Sequence, residues 1–343
     1  MTNKTPFRIA NISNNPDPDW VWLRDLMPRD LTVNGRPLEW TGYSMAAKSP
    51  RLAALGRLKG AHALTRDARK QPFDLVVSHG PWATAWTEWV AGPAINAAKH
   101  LAFSFNYTDL PTGVRKRLMQ SAFKNVDGFA VFTDAEQGLY ADFFNIDQSR
   151  FLRAPWGVSS PLTKIEPRAV SEAYFAALGG EARDYEVLCE AARALPDIQF
   201  IVVARPHNFD GLNPPPNLEV RFNLPFNEAW AIVQHAEAAI IPLRSRETPC
   251  GLVTLVGAMH LGKAQIVTDA AGAADYIKDR ETGLLVPARD SAALVEAIKT
   301  LADDPELAMR IGHNAKNYAA QNCSEDNTIQ FFTDLLKNWF GKH

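Results

Sequence analysis

The residues best placed to do chemistry in this 343-residue chain lie between Ala238 and Asp269. Ala238 to Leu243 is a short apolar run that fits a buried strand. Arg244 to Gly251 is a polar loop with a proline and a glycine. Leu252, Leu255, Val256 and Met259 then recur at helical spacing, up to Leu261. Gly262 ends that helix, because glycine takes the left-handed C-terminal conformation at no steric cost. Ala264 to Thr268 reads as the next strand. The loop therefore sits at a strand's C-terminal end and a helix's N-terminal end. Open α/β sheets bind ligands there, and free backbone N–H groups with the helix dipole attract phosphate. The candidates are Glu247, Thr248, Cys250, Gly251, Leu252, Val253 and Thr254.

Two further candidates follow strands in the first half. His79 ends the apolar run Phe73 to Ser78; its titration range suits proton transfer, and the alternative is a structural histidine. Asp109 follows the strand Leu101 to Phe105 and Asn106. It either orients a reacting hydroxyl or caps the next helix. Trp82, Trp86 and Trp89 share one helical face, either as core packing or as an aromatic platform. Gly113 to Val126 carries Val114, Leu118 and Ala122 at four-residue spacing among Arg115, Lys116, Arg117 and Lys124. Such a helix either lies on an anionic membrane surface or presents a solvated face.

Composition bounds the classes. The chain is 46% hydrophobic and 22% charged, with a formal net charge of −2. That balance speaks against nucleic-acid binding. No apolar run reaches spanning length, and the first residues lack a signal-peptide core, so a cytoplasmic location is expected. Three widely spaced cysteines, Cys189, Cys250 and Cys323, give no disulfide or metal framework.

Further strands are expected at Phe7–Ser13, 128–133, 173–178, 198–204 and 218–222, and helices at 51–70, 135–144 and 186–194. Thr328 to Phe340 is a strongly amphipathic final helix. The proline-bearing stretch 159–170 reads as a linker.

CGLVTLVGAMHLGKAQIVTD, followed by GAADYI, TGLLVP and RDSAALVEAI, resembles the donor-binding half of GT-B glycosyltransferases, in particular retaining family four. The likeness is clear from about Ser171 to Ala319. FLRAPWGV at 151–158 is similar to the end of that family's first domain. The resemblance implies an α/β GT-B fold: two Rossmann-like domains facing each other across a cleft, with the last helix crossing back to the first. The boundaries would be 1–158 for the acceptor side, 159–170 for the linker, 171–325 for the donor side and 326–343 for the final helix. It implies transfer of a sugar from a nucleotide-sugar donor to a saccharide or lipid-linked acceptor, with retention, in glycan or cell-envelope polysaccharide biosynthesis. Peripheral membrane contact through 113–126 would fit a lipid-linked acceptor.

In that family a glycine–arginine pair and a second basic residue face the donor diphosphate. Arg183 stands at the second position. Gly180 stands at the first and offers the phosphate no basic group; Arg205 is a spare candidate to supply one. Asn223 lies where the nucleotide base is read. The resemblance places His79 and Asp109 toward the acceptor, with Asn106 where relatives carry a histidine; Glu247 either reaches the sugar or is a solvated loop charge. Gly257 stands in place of the ribose-binding glutamate, and Thr254 is a candidate substitute. Asp17-Pro18-Asp19 spells the metal-binding pattern of the other large transferase fold, but its prolines and asparagines make a turn. No cofactor and no metal is expected, since main-chain amides and a guanidinium can stabilise the leaving diphosphate. Two alternatives keep the fold: a sugar-nucleotide epimerase, and an inactive nucleotide-binding or scaffolding relative.

Overall fold

The computed structural model describes residues 5–17, 19–164, 173–244 and 249–341. The chain forms two units, one of residues 1–154 with 328–343 and one of residues 155–327.

The first unit contains β1 (Phe7–Ser13), α1 (Trp22–Leu26), β2 (Thr32–Val33), β3 (Arg36–Ser44), α2 (Ala53–Lys70), β4 (Leu75–His79), α3 (Pro81–Ile95), β5 (Lys99–Phe103), α4 (Gly113–Phe123), β6 (Gly128–Val131), α5 (Asp134–Phe144) and β7 (Phe151–Arg153). Its sheet runs β2-β3-β1-β4-β5-β6-β7. All neighbours are parallel except β2 with β3. Parallel strands covered on both faces read as apolar runs, and LVV at 75–77 is wholly buried. A capping box starts α5: Glu136 N–H donates to Thr133 Oγ1, and Thr133 N–H donates back to Glu136 Oε2.

The second unit contains β8 (Tyr174–Leu178), α6 (Tyr185–Ala194), β9 (Gln199–Ala204), β10 (Leu218–Phe222), α7 (Phe226–His235), β11 (Ala238–Ile241), α8 (Leu252–His260), β12 (Ala264–Thr268), β13 (Leu284–Val286), α9 (Ser291–Asp303) and α10 (Pro305–Asn322). Its all-parallel order is β10-β9-β8-β11-β12-β13. One core joins Phe175, Phe200 and Ile240 to α6 and α9; another joins Tyr174, Ile201 and Ala239 to α7 and Ala258 of α8. The chain direction across the sheet reverses between β8 and β11. That is the topological switch point of a dinucleotide-type fold, where a crevice opens at the strands' C-terminal ends.

The last helix, α11 (Glu325–Phe340), belongs from Thr328 onward to the first unit. Its Phe332 ring lies 6.1 Å from Phe103 and 6.3 Å from Trp40, and Phe340 lies 4.8 Å from Phe7. The amphipathic stripe of α11 thus covers the sheet face that carries Phe7, Trp40 and Phe103.

Candidate functional site

The switch point of the second unit is built by two loops that zip together. After β8, Asp184 N–H donates to Pro242 O and Arg244 N–H to Ala182 O, both at 2.9 Å, and Arg183 bridges Leu243. This pairing buries the Arg183 guanidinium under the loop. Nε and Nη2 donate to Leu178 O at 3.2 and 3.1 Å, Nη1 to Glu181 O at 3.0 Å, and Nη2 to Thr254 Oγ1 at 3.0 Å. Guanidinium has five N–H donors, so one on Nη1 remains. A two-pronged phosphate contact, of the kind a guanidinium can make, is therefore not open to Arg183 in this arrangement; among the described residues the side chain offers one N–H and its charge.

Among the described residues no carboxylate pairs with Arg183. The nearby Glu181 carboxylate accepts from Arg205 Nη1 at 2.5 Å instead. Burial pushes the Arg183 pKa down, yet a guanidinium stays charged in proteins. The result is a desolvated cation without a carboxylate contact among the described residues.

Glycines make that arrangement possible. At Gly179, φ is +135°, and an added Cβ would lie 2.5 Å from Arg183 Nη2. Gly251 has φ +85° and sits at the N-cap of α8; a Cβ there would lie 3.3 Å from Arg183 Nη1. Both positions combine a left-handed backbone with close approach, which glycine alone meets without strain. The first bond of α8 runs from Leu255 N–H to Gly251 O at 2.9 Å. The amides of Leu252, Val253 and Thr254 precede it and, among the described residues, meet no acceptor, as at the start of any helix that can take an anion.

The Thr254 hydroxyl is already committed. It accepts from Arg183 and donates to Leu178 O at 3.1 Å. Ribose binding by this side chain is thereby displaced by a bracing role, and only its backbone N–H faces the helix start. Cys250 is half-buried beside Gly251. Glu247 and Thr248 lie outside the described residues.

Gly257 is explained by its neighbour. An added Cβ would lie 2.1 Å from Cη2 of the buried Trp230. The place of the missing glutamate is filled by an indole from α7. At the end of β9, Arg205 lies over Gly180, where a Cβ would come within 2.9 Å of Arg205 Cδ. The strand-end arginine thus occupies the space beside the position that lacks a basic residue. Asn223 follows β10, exposed and left-handed at φ 51°.

In the first unit, His79 ends β4. Its Nε2 lies 2.6 Å from Asn11 Oδ1, while Asn11 Nδ2 donates to Trp20 O at 3.2 Å. Since Asn11 presents its oxygen to the ring, Nε2 carries the proton and Nδ1 a free lone pair. The rings of Trp20 and Phe103 stand edge-on at 5.1 and 5.7 Å. Burial pushes the imidazole pKa down from 6.5 to about 4, so His79 is a neutral acceptor near pH 7. Sequence reasoning missed Asn11, although a lone amide inside the apolar strand FRIANIS was a signal that a buried polar partner existed.

Asp109 is exposed, and Thr112, not Asp109, holds the N-cap position of α4; the capping alternative is corrected. Asn106 is exposed as well. Asp17 and Asp19 belong to successive turns: Asp17 N–H donates to Asn15 Oδ1 and Asp19 N–H to Asp17 Oδ1. The three tryptophans of α3 divide. Trp82 lies between Arg57 and Arg115, Trp86 packs on the core, and Trp89 is 38% exposed.

Comparison with known proteins adds the following. Residues 183–318 match the family described as glycosyl transferases group 1. Lipopolysaccharide 1,2-N-acetylglucosaminetransferase of Salmonella typhimurium is 29% identical over 109 residues, 31% of this chain and 28% of that protein. The match therefore spans little more than a quarter of the curated relative. Sucrose-phosphate synthase from Thermosynechococcus elongatus superimposes with a TM-score of 0.76 at 17% identity, over 97% of this chain and 99% of that one. The Anabaena protein HepE, solved with UDP and glucose, gives 0.73 at 14% identity, over 96% and 99%.

Proposed function

Because the chain has the GT-B fold and carries a group 1 glycosyl transferase domain over residues 183–318, we propose that it is a glycosyltransferase. It moves a sugar, with retention, from a nucleotide-sugar donor to a saccharide or lipid-linked acceptor in glycan or cell-envelope polysaccharide synthesis. The observation that carries this reading is the Arg183 guanidinium, which no carboxylate meets among the described residues, beside the first amides of α8. A departing nucleoside diphosphate gains negative charge as the glycosidic bond breaks, and fixed donors stabilise that charge without reorganising. The amides of Leu252, Val253 and Thr254 bind phosphate oxygens and Arg183 supplies charge from behind. Arg205 provides the second basic group that Gly180 does not. No metal or further cofactor enters this scheme. The structure of HepE with UDP and glucose supports a nucleotide sugar as donor. On the acceptor side, His79 Nδ1 receives a hydrogen bond from an acceptor hydroxyl. Asp109 and Glu247 are the carboxylates proposed to orient the acceptor and the sugar.

The test is calorimetric titration of UDP and GDP into wild type and Arg183→Ala. A phosphate charge about 5 Å from the guanidinium, at an effective dielectric of about 20, gains roughly 3 kcal/mol. Allowing for rearrangement, affinity should fall by about 10- to 100-fold. Unchanged affinity in a folded variant rules out the role. Donor turnover that stops when chelator is added rules out the metal-free scheme.

The same proposal places the acceptor on a lipid surface. On α4, Val114 is 69% and Leu118 52% exposed, while Ala122 of the same stripe turns to the core with Met119 and Phe123. Leu55 of α2 is 62% exposed, and Arg57 and Arg115 from the two helices meet over Trp82. Exposed aliphatic side chains rimmed by arginines fit an anionic bilayer interface. Wild type should sediment with vesicles of phosphatidylglycerol and phosphatidylcholine, and Val114→Asp/Leu118→Asp should not. Equal sedimentation of both removes this part.

A further inference from the structure

A second site lies in the first unit, at the N-terminal ends of β5 and β6, the sheet edge opposite the one that bears His79. A cavity of about 680 Å³ opens there between the end of α3 and the loops before the two strands. At its floor is Glu88, whose side chain is 4% exposed. Glu88 Oε1 lies 2.5 Å from His100 Nδ1, and His100 Nε2 lies 2.8 Å from Ser78 Oγ. Ser78 Oγ lies 2.8 Å from Thr84 Oγ1, which donates to Gly80 O. The direction of this chain is fixed from its far end. Thr84 spends its proton on Gly80 O, so Ser78 donates to Thr84 and His100 Nε2 donates to Ser78. Glu88 Oε2 takes no hydrogen bond among the described residues, and it lines the cavity. Gly92 keeps it open: a Cβ there would lie 3.2 Å from Oε2.

The polar groups lining the cavity already have partners of their own. Glu88 Oε1 meets His100 Nδ1, and Asp127 meets Lys99 at 2.7 Å while it also accepts from His100 N–H. The lining carries no cluster of one sign that would select an ion. What it offers is one buried acceptor oxygen, the side-chain amides of Asn96 and Asn125 without hydrogen bonds among the described residues, and the exposed Trp89 ring at its wall. An apolar face with several hydrogen-bonding groups around it matches a neutral ring that has C–H bonds on its faces and hydroxyls at its edge. We propose that this cavity binds a saccharide, with Trp89 as platform and Glu88 Oε2 as the acceptor that fixes ring orientation. The site is separate from the donor site proposed above and does not rest on it.

The test uses the full chain with glucose, N-acetylglucosamine, maltotriose and chitotriose, read by calorimetry and by saturation-transfer NMR. Saturable binding of at least one of them is expected. Trp89→Ala removes the platform. Gly92→Leu covers Glu88 Oε2 from a partly exposed helix position and keeps the test open should the tryptophan variant fold poorly. Each should weaken saccharide binding at least about fivefold, a little under 1 kcal/mol, and leave UDP and GDP affinity unchanged. Arg183→Ala should leave saccharide binding unchanged, so failure of either site is read separately. No saturable binding across the four sugars overturns the proposal, as does binding that survives in every folded variant of Trp89 and Gly92.

Discussion

Gly257 offers the most direct test of the packing behind the site. Replacing a helical glycine by alanine at an open position stabilises a protein by up to about 1 kcal/mol, because it removes backbone freedom from the unfolded chain. Gly138 in α5 is such a position: an added Cβ meets nothing within 4 Å. At Gly257 the same Cβ would lie 2.1, 2.7 and 2.8 Å from three carbons of the Trp230 ring. Non-bonded carbons settle at about 3.5–4.0 Å, so ring or helix must retreat by roughly 1.5 Å. Trp230 is buried in a core with Tyr174, Ile201 and Ala258, and gives way only by moving them too. Overpacking costs about 1–3 kcal/mol, sometimes more. Set against the helix-propensity gain, Gly257→Ala should destabilise by about 2 kcal/mol, whereas Gly138→Ala should stabilise by about 0.5–1 kcal/mol.

Urea unfolding followed by circular dichroism reads both, and a shift in midpoint at constant slope reports stability alone. Trp230→Phe withdraws the clashing ring edge. In that background the cost of Gly257→Ala should shrink by at least about 1 kcal/mol, a coupling expected of residues in contact. A Gly257→Ala protein as stable as wild type would refute the reasoning, and so would additivity with Trp230→Phe. The glutamate variant follows from the same geometry: Gly257→Glu should lower stability and bring no gain in nucleotide affinity.

Two further outcomes follow from the geometry. The His79 pKa lies near 4 in the folded state and near 6.5 unfolded, so between these values the unfolded chain binds the extra proton. Stability should therefore fall as pH drops from about 6.5 toward 4, by about 2 kcal/mol after allowance for the partly exposed ring, and His79→Gln should flatten that part of the curve; identical profiles would show that the imidazole is not desolvated. Gly179→Ala should displace the Arg183 guanidinium and weaken UDP binding by about tenfold, roughly 1.4 kcal/mol. Added to Arg183→Ala it should weaken binding little more, and full additivity would separate the two residues.

How far these features could be read from the sequence depended on where their partners lie. β1 and β12 begin and end as expected, because strands within a parallel sheet are apolar on both faces and bounded by polar turns; β10, at the sheet's edge, also keeps its expected bounds through the alternation of Leu218, Val220 and Phe222 with Glu219 and Arg221. β3 drew no expectation. Pro37 and Gly42 interrupt it and its burial is partial, so neither a continuous apolar run nor a clean alternation marks it. Val114, Leu118 and Ala122 of α4 were visible as spacing, yet spacing cannot say which face meets the core: Ala122 joins Met119 and Phe123 there, and the other two stay exposed. The brace on Arg183 was out of reach. Leu178 O is a backbone group that any residue supplies, and Thr254 lies 71 positions away.

Gly257 shows why position-by-position comparison misreads such a site. Aligned against a motif with glutamate, the glycine registers as a missing acceptor and invites a search for a substitute nearby on the same helix. In three dimensions nothing is vacant: the indole of Trp230 occupies that face of α8, and the Thr254 hydroxyl one turn earlier is spent on Arg183. The inward face of α8 is thus fully used in holding the helix and the guanidinium in place. A ribose bound here must be gripped by groups outside that face, and donor affinity should rest more heavily on the diphosphate than a glutamate-bearing helix would require.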